Sequence, residues 1–271
     1  MKRPLTWTGM VLGMVGLAGL MLSCATVPET GRTQLRLIPP GEEVQLGLQS
    51  FEQLKKQLPV SKDTAARAMV EKVGRAIASV APLPDAQWEF VLFESPEANA
   101  FCLPGGKVGV YTGILPITQN EAGLATVLGH EVAHAVARHG AERLSHEWLR
   151  ELGGQVLAAS VARSDPRAQQ LALLAYGVGT EVGAILPYSR LQESEADHMG
   201  LLYMARAGYD PREAVKFWQR FAAYNQQQGG ARVPAWLRTH PLDETRIRQL
   251  EQWMPAALAE YEKAQSSRGV R

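Results

Sequence analysis

One five-residue block, His130-Glu131-Val132-Ala133-His134, constrains this chain more than any other feature. Residues four apart share a face of an α-helix, so both imidazoles can reach one metal ion if the segment is helical. The surroundings agree with a helix: Leu124, Val127, Leu128 and Val132 keep an apolar rhythm with no proline among them. Glu131 lies beside the pair, placed to take a proton from water activated by that ion. His146-Glu147 does not repeat the block, because Arg150 stands where a second histidine would have to be.

Two histidines do not complete a catalytic zinc site, which takes three protein ligands and keeps one position open. Further along lies Glu193-Ser194-Glu195-Ala196-Asp197, again in a helical pattern. Glu193 and Asp197 are four apart and share a face. One carboxylate can bind the metal while the other accepts the free N–H of a ligating imidazole. Glu195 lies about 200° around the same helix from Glu193 and is expected to point elsewhere.

The rest of the chain reads as mostly helical. Apolar periodicity predicts helices over 42–58 and 64–80, the second capped by Asp63. An aromatic and β-branched run over 88–93 predicts a strand. Extended runs at 99–102 and 107–112 flank Leu103-Pro104-Gly105-Gly106, a hairpin signal. Helices are then expected over 119–138, 141–162, 167–186, 191–207, 211–226 and 243–265. The stretch 171–186 is apolar enough to raise a membrane question, but it is short and carries Glu181. It is read as a buried or surface-covering helix. The fold class is therefore α+β, helices predominating, with a small sheet or hairpin beside the metal-binding helix. With 28 Lys+Arg against 27 Asp+Glu, the balanced charge excludes a charge-driven grip on nucleic acid.

At the N-terminus, Lys2 and Arg3 precede an uncharged run from Thr8 to Leu22, then Ser23-Cys24. These are the parts of an export signal, too short to span a bilayer comfortably. A cysteine behind a small residue resembles the bacterial lipobox; a plain secretory signal is the alternative. The lipobox implies cleavage before Cys24, lipidation of Cys24 and, since Ala25 rather than Asp follows, a bacterial cell-envelope protein anchored in the outer membrane and facing the periplasm. The expected organisation is a signal peptide over 1–23, a tether over 24–40 and one domain over 41–271. Cys102 is then expected to be a buried, inert thiol.

HExxH followed by ExEAD resembles the gluzincin zinc metallopeptidases of the HtpX and CAAX-prenyl-protease type. The likeness is nearest to the periplasmic lipoprotein (LoiP-like) and BepA-like members. Asn99-Ala100-Phe101 with Pro104-Gly105-Gly106-Lys107-Val108 resembles that family's substrate-side strand and turn. Ser189-Arg190 and Thr239-His240-Pro241 match as well. The resemblance implies a zincin-like domain with one Zn2+ held by His130, His134 and Glu193. It makes Glu131 the general base and sets Asp197 behind a ligand. His240 becomes a catalytic group near the metal, either steadying the oxyanion or capping the fourth coordination position. Asn99, Ala100 and Phe101 would bind an extended substrate as an added strand, Arg190 would pair with an acidic residue of the site, and 162–188 would gate it. His139 and His198 are read as helix-face residues outside the site. The implied activity is endopeptidase action on unfolded or misassembled envelope proteins. The implied partners are extended polypeptides, a membrane reached through the lipid anchor and envelope assembly machinery, with no nucleic acid. The alternative is a chaperone-like assembly factor that binds clients with little proteolysis.

Overall fold

A computed structural model describes residues 24–181, 186–227, 234–241 and 244–269. The expected signal peptide, 1–23, lies outside them. Ten helices are described: α1 (Pro40–Gln57), α2 (Thr64–Ala78), α3 (Leu115–Thr118), α4 (Glu121–Val136), α5 (His139–Val161), α6 (Pro166–Thr180), α7 (Leu186–Arg206), α8 (Arg212–Gln227), α9 (Ala235–Thr239) and α10 (Glu244–Gly269). Five strands accompany them: β1 (Cys24–Thr26), β2 (Thr33–Leu35), β3 (Glu89–Phe93), β4 (Ala100–Leu103) and β5 (Lys107–Tyr111). No described helix is long and apolar enough to cross a membrane.

The centre of the core is α4, which carries the HEVAH block. Asn120 starts it by accepting a hydrogen bond from the Gly123 amide. The helix is buried on nearly every face, as a helix apolar all round must be. It packs against α7, α2, β4 and α8, and α10 closes over α7. The crossing of α4 and α7 is unusually close. A Cβ added to Gly129 would lie 2.7 Å from the Gly200 carbonyl oxygen, and one added to Gly200 would lie 2.7 Å from the His130 amide nitrogen. Only glycine permits this approach, and it sets the two chemistry-bearing helices backbone to backbone.

The sheet has the order β3-β5-β4, with β3 parallel and β4 antiparallel to β5. The expected hairpin is present, its turn made by Gly105 and Gly106 at φ +85° and +80°. Phe101 lies over Gly109 and joins Phe51, Phe93 and Tyr111 in a small second core. Its side chain is therefore committed to packing. β4 stands at the edge of the sheet.

The structure bears on three expectations. Residues 24–40 are not a loose tether: β1 pairs antiparallel with β2, Val27 and Gln34 are buried, and Arg32 is tied to α5 and α7. The turn residues that suggest a tether belong instead to the hairpin, with Gly31 at φ +70°. The single helix expected over 119–138 is bounded by two residues of positive φ, Gln119 at +63° and Arg138 at +55°. The second bend starts α5 at His139. Finally, α6 contains no buried residue, so of the two readings of 171–180, buried or surface-covering, the second stands. Its main packing partner is α5 rather than the helices bearing the metal-ligand candidates; residues 182–185 lie outside the description.

Candidate active site

Three elements converge on one point. α4 contributes His130 and His134, α7 contributes Glu193, and His240 ends α9. Their nitrogen and oxygen ligand atoms all lie within 4.8 Å of one another, and all four residues are buried. His130 Nε2 is 3.1 Å from both His134 Nε2 and His240 Nδ1. Glu193 Oε2 is 2.8 Å from His240 Nδ1 and 3.3 Å from His130 Nε2. Glu193 Oε1, although buried, makes no hydrogen bond. A buried carboxylate oxygen that meets His134 Nε2 only at 3.3 Å, without a hydrogen bond, is costly unless a cation completes it. Three imidazoles and one carboxylate are the donor types zinc takes, so the residues fit that ion.

Hydrogen bonds from behind the donors set which ring nitrogen faces this point. Asp197 Oδ1 lies 2.9 Å from His130 Nδ1 and accepts its proton, leaving Nε2 with a lone pair toward the cluster. Asp197 is itself held by Arg246, whose Nε and Nη2 donate at 2.6 and 2.7 Å, and the guanidinium lies 3.9 Å over the Trp218 ring. His134 is held less directly. His139 Nε2 is 2.9 Å from Glu195 Oε2, and His139 Nδ1 is 2.8 Å from His134 Nδ1. With Glu195 accepting the Nε2 proton, His139 Nδ1 accepts from His134 and leaves His134 Nε2 free for the cluster. Glu195 also takes hydrogen bonds from Thr30 and Arg32, and Arg32 reaches on to Glu142. The carboxylates of ExEAD thus divide their work. Glu193 faces the donor cluster, Asp197 orients one histidine and Glu195 orients the other through His139.

The electrostatics follow this wiring. Burial would raise the pKa of Asp197, but Arg246 and His130 hold it below the ordinary value. Burial likewise opposes ionisation of Glu193, yet His134 and His240 keep it well below the usual carboxylate range. Glu195, against its burial, is drawn to about 2 by His139, Arg32 and Thr30. His134 is held well below the ordinary imidazole value by burial, against the pull of Glu193. His130 is raised to about 9, since Asp197 and Glu193 outweigh burial, so its Nε2 lone pair becomes available when a cation takes the proton's place. Burial, then the charge of Glu131, pushes the Cys102 thiol up, in keeping with an inert thiol and with β4 lying close to the site.

Glu131 lies beside the donors. The Trp236 indole N–H donates to its Oε1 at 2.6 Å, and His240 Nε2 is 3.4 Å from the same oxygen. The Trp236 amide in turn donates to the Ala98 carbonyl at 3.2 Å, which joins α9 to the start of the edge strand.

The structure therefore brings together His130, Glu131, His134, Glu193, Asp197 and His240, with β4 alongside. Asn99 gives its carbonyl to the Tyr111 amide within the sheet, Ala100 opens β4 opposite Val110, and the Phe101 ring is turned into the second core. Arg190 is exposed; the arginine on the site's acidic residues is Arg246 instead. His198 stays outside, against Trp253, as expected. His139 does not: the bend at Arg138 carries it back onto His134, which helical spacing alone could not show. Trp236, Arg246, Glu195 and Arg32 also escaped sequence reasoning, since each meets the site only through tertiary contact.

A helix bearing HExxH, a glutamate from a second helix and a carboxylate-backed histidine define a zincin-type metallopeptidase site. The comparison with known sequences is specific: the pattern of Peptidase family M48 matches residues 64–254, and the chain belongs to that family. It is 40% identical over 193 residues to mitochondrial metalloendopeptidase OMA1 of Schizosaccharomyces pombe, covering 71% of this chain and 54% of that one. With the human metalloendopeptidase OMA1, mitochondrial, identity is 34% over 244 residues, 85% of this chain and 46% of the other. With the beta-barrel assembly-enhancing protease of Escherichia coli it is 29% over 232 residues, 83% and 46%. The chain spans about half the length of these relatives.

These matches correct the expected location. Relatives at 33–40% identity are named as mitochondrial proteins, so a bacterial outer-membrane lipoprotein facing the periplasm does not stand. A basic start and a short apolar run mark targeting in general rather than one destination, and a Ser-Cys pair alone is too little to fix it.

Proposed function

We propose that this protein is a zinc-dependent endopeptidase that cleaves unfolded or misassembled polypeptides. The observation that carries the reading is the placement of Glu131 beside the His130–His134–Glu193 donors, its Oε1 fixed by Trp236. His130, His134 and Glu193 would hold the ion. When bound, zinc supplies Lewis acidity, polarising a carbonyl and acidifying water. Glu131 then acts through Oε2, taking the proton from the attacking water and delivering it to the leaving amine. The substrate lies extended against β4, its main chain pairing with the open edge of that strand beside Asn99, Ala100 and Phe101. That mode reads backbone rather than side chains and suits unfolded chains. An assembly factor with little proteolysis would need no general base, and a held Glu131 favours the enzyme. The names of the relatives, endopeptidases and a protease, support the same reading.

His240 has its Nδ1 among the donor atoms, which favours capping of the fourth position over oxyanion support. His240→Ala is then expected to keep zinc and to cleave at least as fast as wild type. An oxyanion donor would instead cost about 100-fold or more in kcat on removal.

The decisive experiment compares the wild-type chain with Glu131→Gln, measuring bound zinc and cleavage of unfolded casein. Zinc in both with cleavage only in wild type is expected. Equal cleavage by the two, or client binding with no cleavage by wild type, would overturn the enzyme reading.

A further inference from the structure

We infer that the α5–α6 hairpin is a membrane-docking element that lays an exposed apolar face on a lipid bilayer. Of the thirteen large apolar side chains exposed among the described residues, ten fall between 144 and 191. Scattered exposure is ordinary, but a cluster of this kind marks a contact surface. On α5, Trp148, Leu152 and Val156 follow one another at four-residue intervals and form one stripe. On α6, Leu171, Leu174 and Val178 do the same at intervals of three and four. These six side chains are 44–67% exposed.

The hairpin is a built unit. The Tyr176 hydroxyl donates to the Arg150 carbonyl at 2.9 Å, and its ring lies where a Cβ on Gly153 would be, 2.3 Å from the hydroxyl oxygen. α6 thus rests on α5 through a fitted contact while its outer face carries the leucines. Charge is distributed to match. No charged residue occurs over 152–162 or 168–180, and Arg163, Asp165 and Arg167 gather at the tip. An apolar body with basic residues at its margin is the composition of an element lying in a membrane interface. The described helices are too short or too polar to cross a bilayer, so docking rather than spanning is the geometry that fits.

The place where the preceding chain joins the fold selects a bilayer over a second protein. The uncharged run Thr8–Leu22 leads directly into Cys24, which pairs with Leu35 in the β1–β2 hairpin. Two residues past Leu35, the Leu37 amide donates to Ser145 Oγ on α5 at 2.9 Å. Cys24, where the described chain begins, therefore stands near the base of the same helix that bears the exposed stripe. An apolar run written into the sequence just ahead of Cys24 and an exposed apolar stripe on the helix near Cys24 are both served by a single lipid surface.

Trp148 makes the test direct. The full chain is bound to phosphatidylcholine–phosphatidylglycerol vesicles, with and without bromine on the acyl chains, and compared with Trp148→Phe. Because Trp148 is exposed, the conservative change leaves the fold intact, checked by zinc content. The emission lost in Trp148→Phe is expected to be the part that brominated lipid quenches. Leu171→Glu/Leu174→Glu should lose that quenching, while cleavage of a soluble unfolded substrate persists. Vesicle-bound protein whose Trp148 emission ignores bromine would overturn the proposal, whether the face then proves to bind a second copy or a client. Quenching unchanged by the two glutamates would overturn it too. Failure of the peptidase reading would show separately, as absent casein cleavage with quenching intact.

Discussion

At the scale of single residues, the site works by fixing tautomers. Asp197 does this for His130 directly, and Glu195 does it for His134 through the interposed ring of His139. A histidine one step removed from the metal should therefore matter nearly as much as a ligand's direct carboxylate partner. His139→Ala is expected to weaken zinc binding by about 10–100-fold, read by competition with a chromophoric chelator rather than by activity. Unchanged affinity would reduce His139 to a packing residue. The ligands themselves were legible, because HExxH and ExEAD write their geometry into four-residue spacing. His139 was not, since it reaches His134 only through the left-handed turn at Arg138, and nothing in a run of residues announces that a bend will fold back. Trp236 and Arg246 were hidden for a similar reason: an indole and a guanidinium look like ordinary core and surface until the helices carrying them are placed.

At the scale of elements, one contact aligns the two motifs. Gly129 and Gly200 let α4 and α7 touch backbone to backbone, and the distances from Glu193 to His130 and His134 depend on that crossing. Gly200→Ala should force the helices apart at the cost of about 1–3 kcal/mol, with lowered zinc affinity, measured by denaturant unfolding and metal titration. Gly177 on α6 has open space around its Cβ position, so Gly177→Ala should be neutral or gain up to about 1 kcal/mol from helix propensity. If both changes had equal effects, close approach would not be what Gly200 is for. Periodicity revealed most of the helices, and paired glycines revealed the β4–β5 turn. The parallel pairing of β3 with β5 and the five-residue α9 were not visible, because the first depends on a crossover and the second is too short to show a period.

At the scale of the whole molecule, the N-terminal hairpin is wired to the site. Arg32 bridges Glu142 on α5 and Glu195 on α7, with N···O distances of 2.9 and 2.8 Å, and both carboxylates are almost completely buried. Exposed pairs such as Lys72–Glu121 contribute under about 1 kcal/mol. Arg32 is different, because its removal leaves two buried carboxylates without their common cation. Arg32→Ala is expected to destabilise the fold by about 3–5 kcal/mol, while Lys72→Ala should scarcely register in the same denaturant titration. The effect should not stop at stability. Once Arg32 is gone, Glu195 loses a partner that helps fix it against His139, so zinc affinity should fall in the same variant and fall little further when His139→Ala is added. Independent losses would multiply; a shared path through Glu195 would not. Full additivity in that double variant would mean that the hairpin merely stiffens the protein and has no hold on the site.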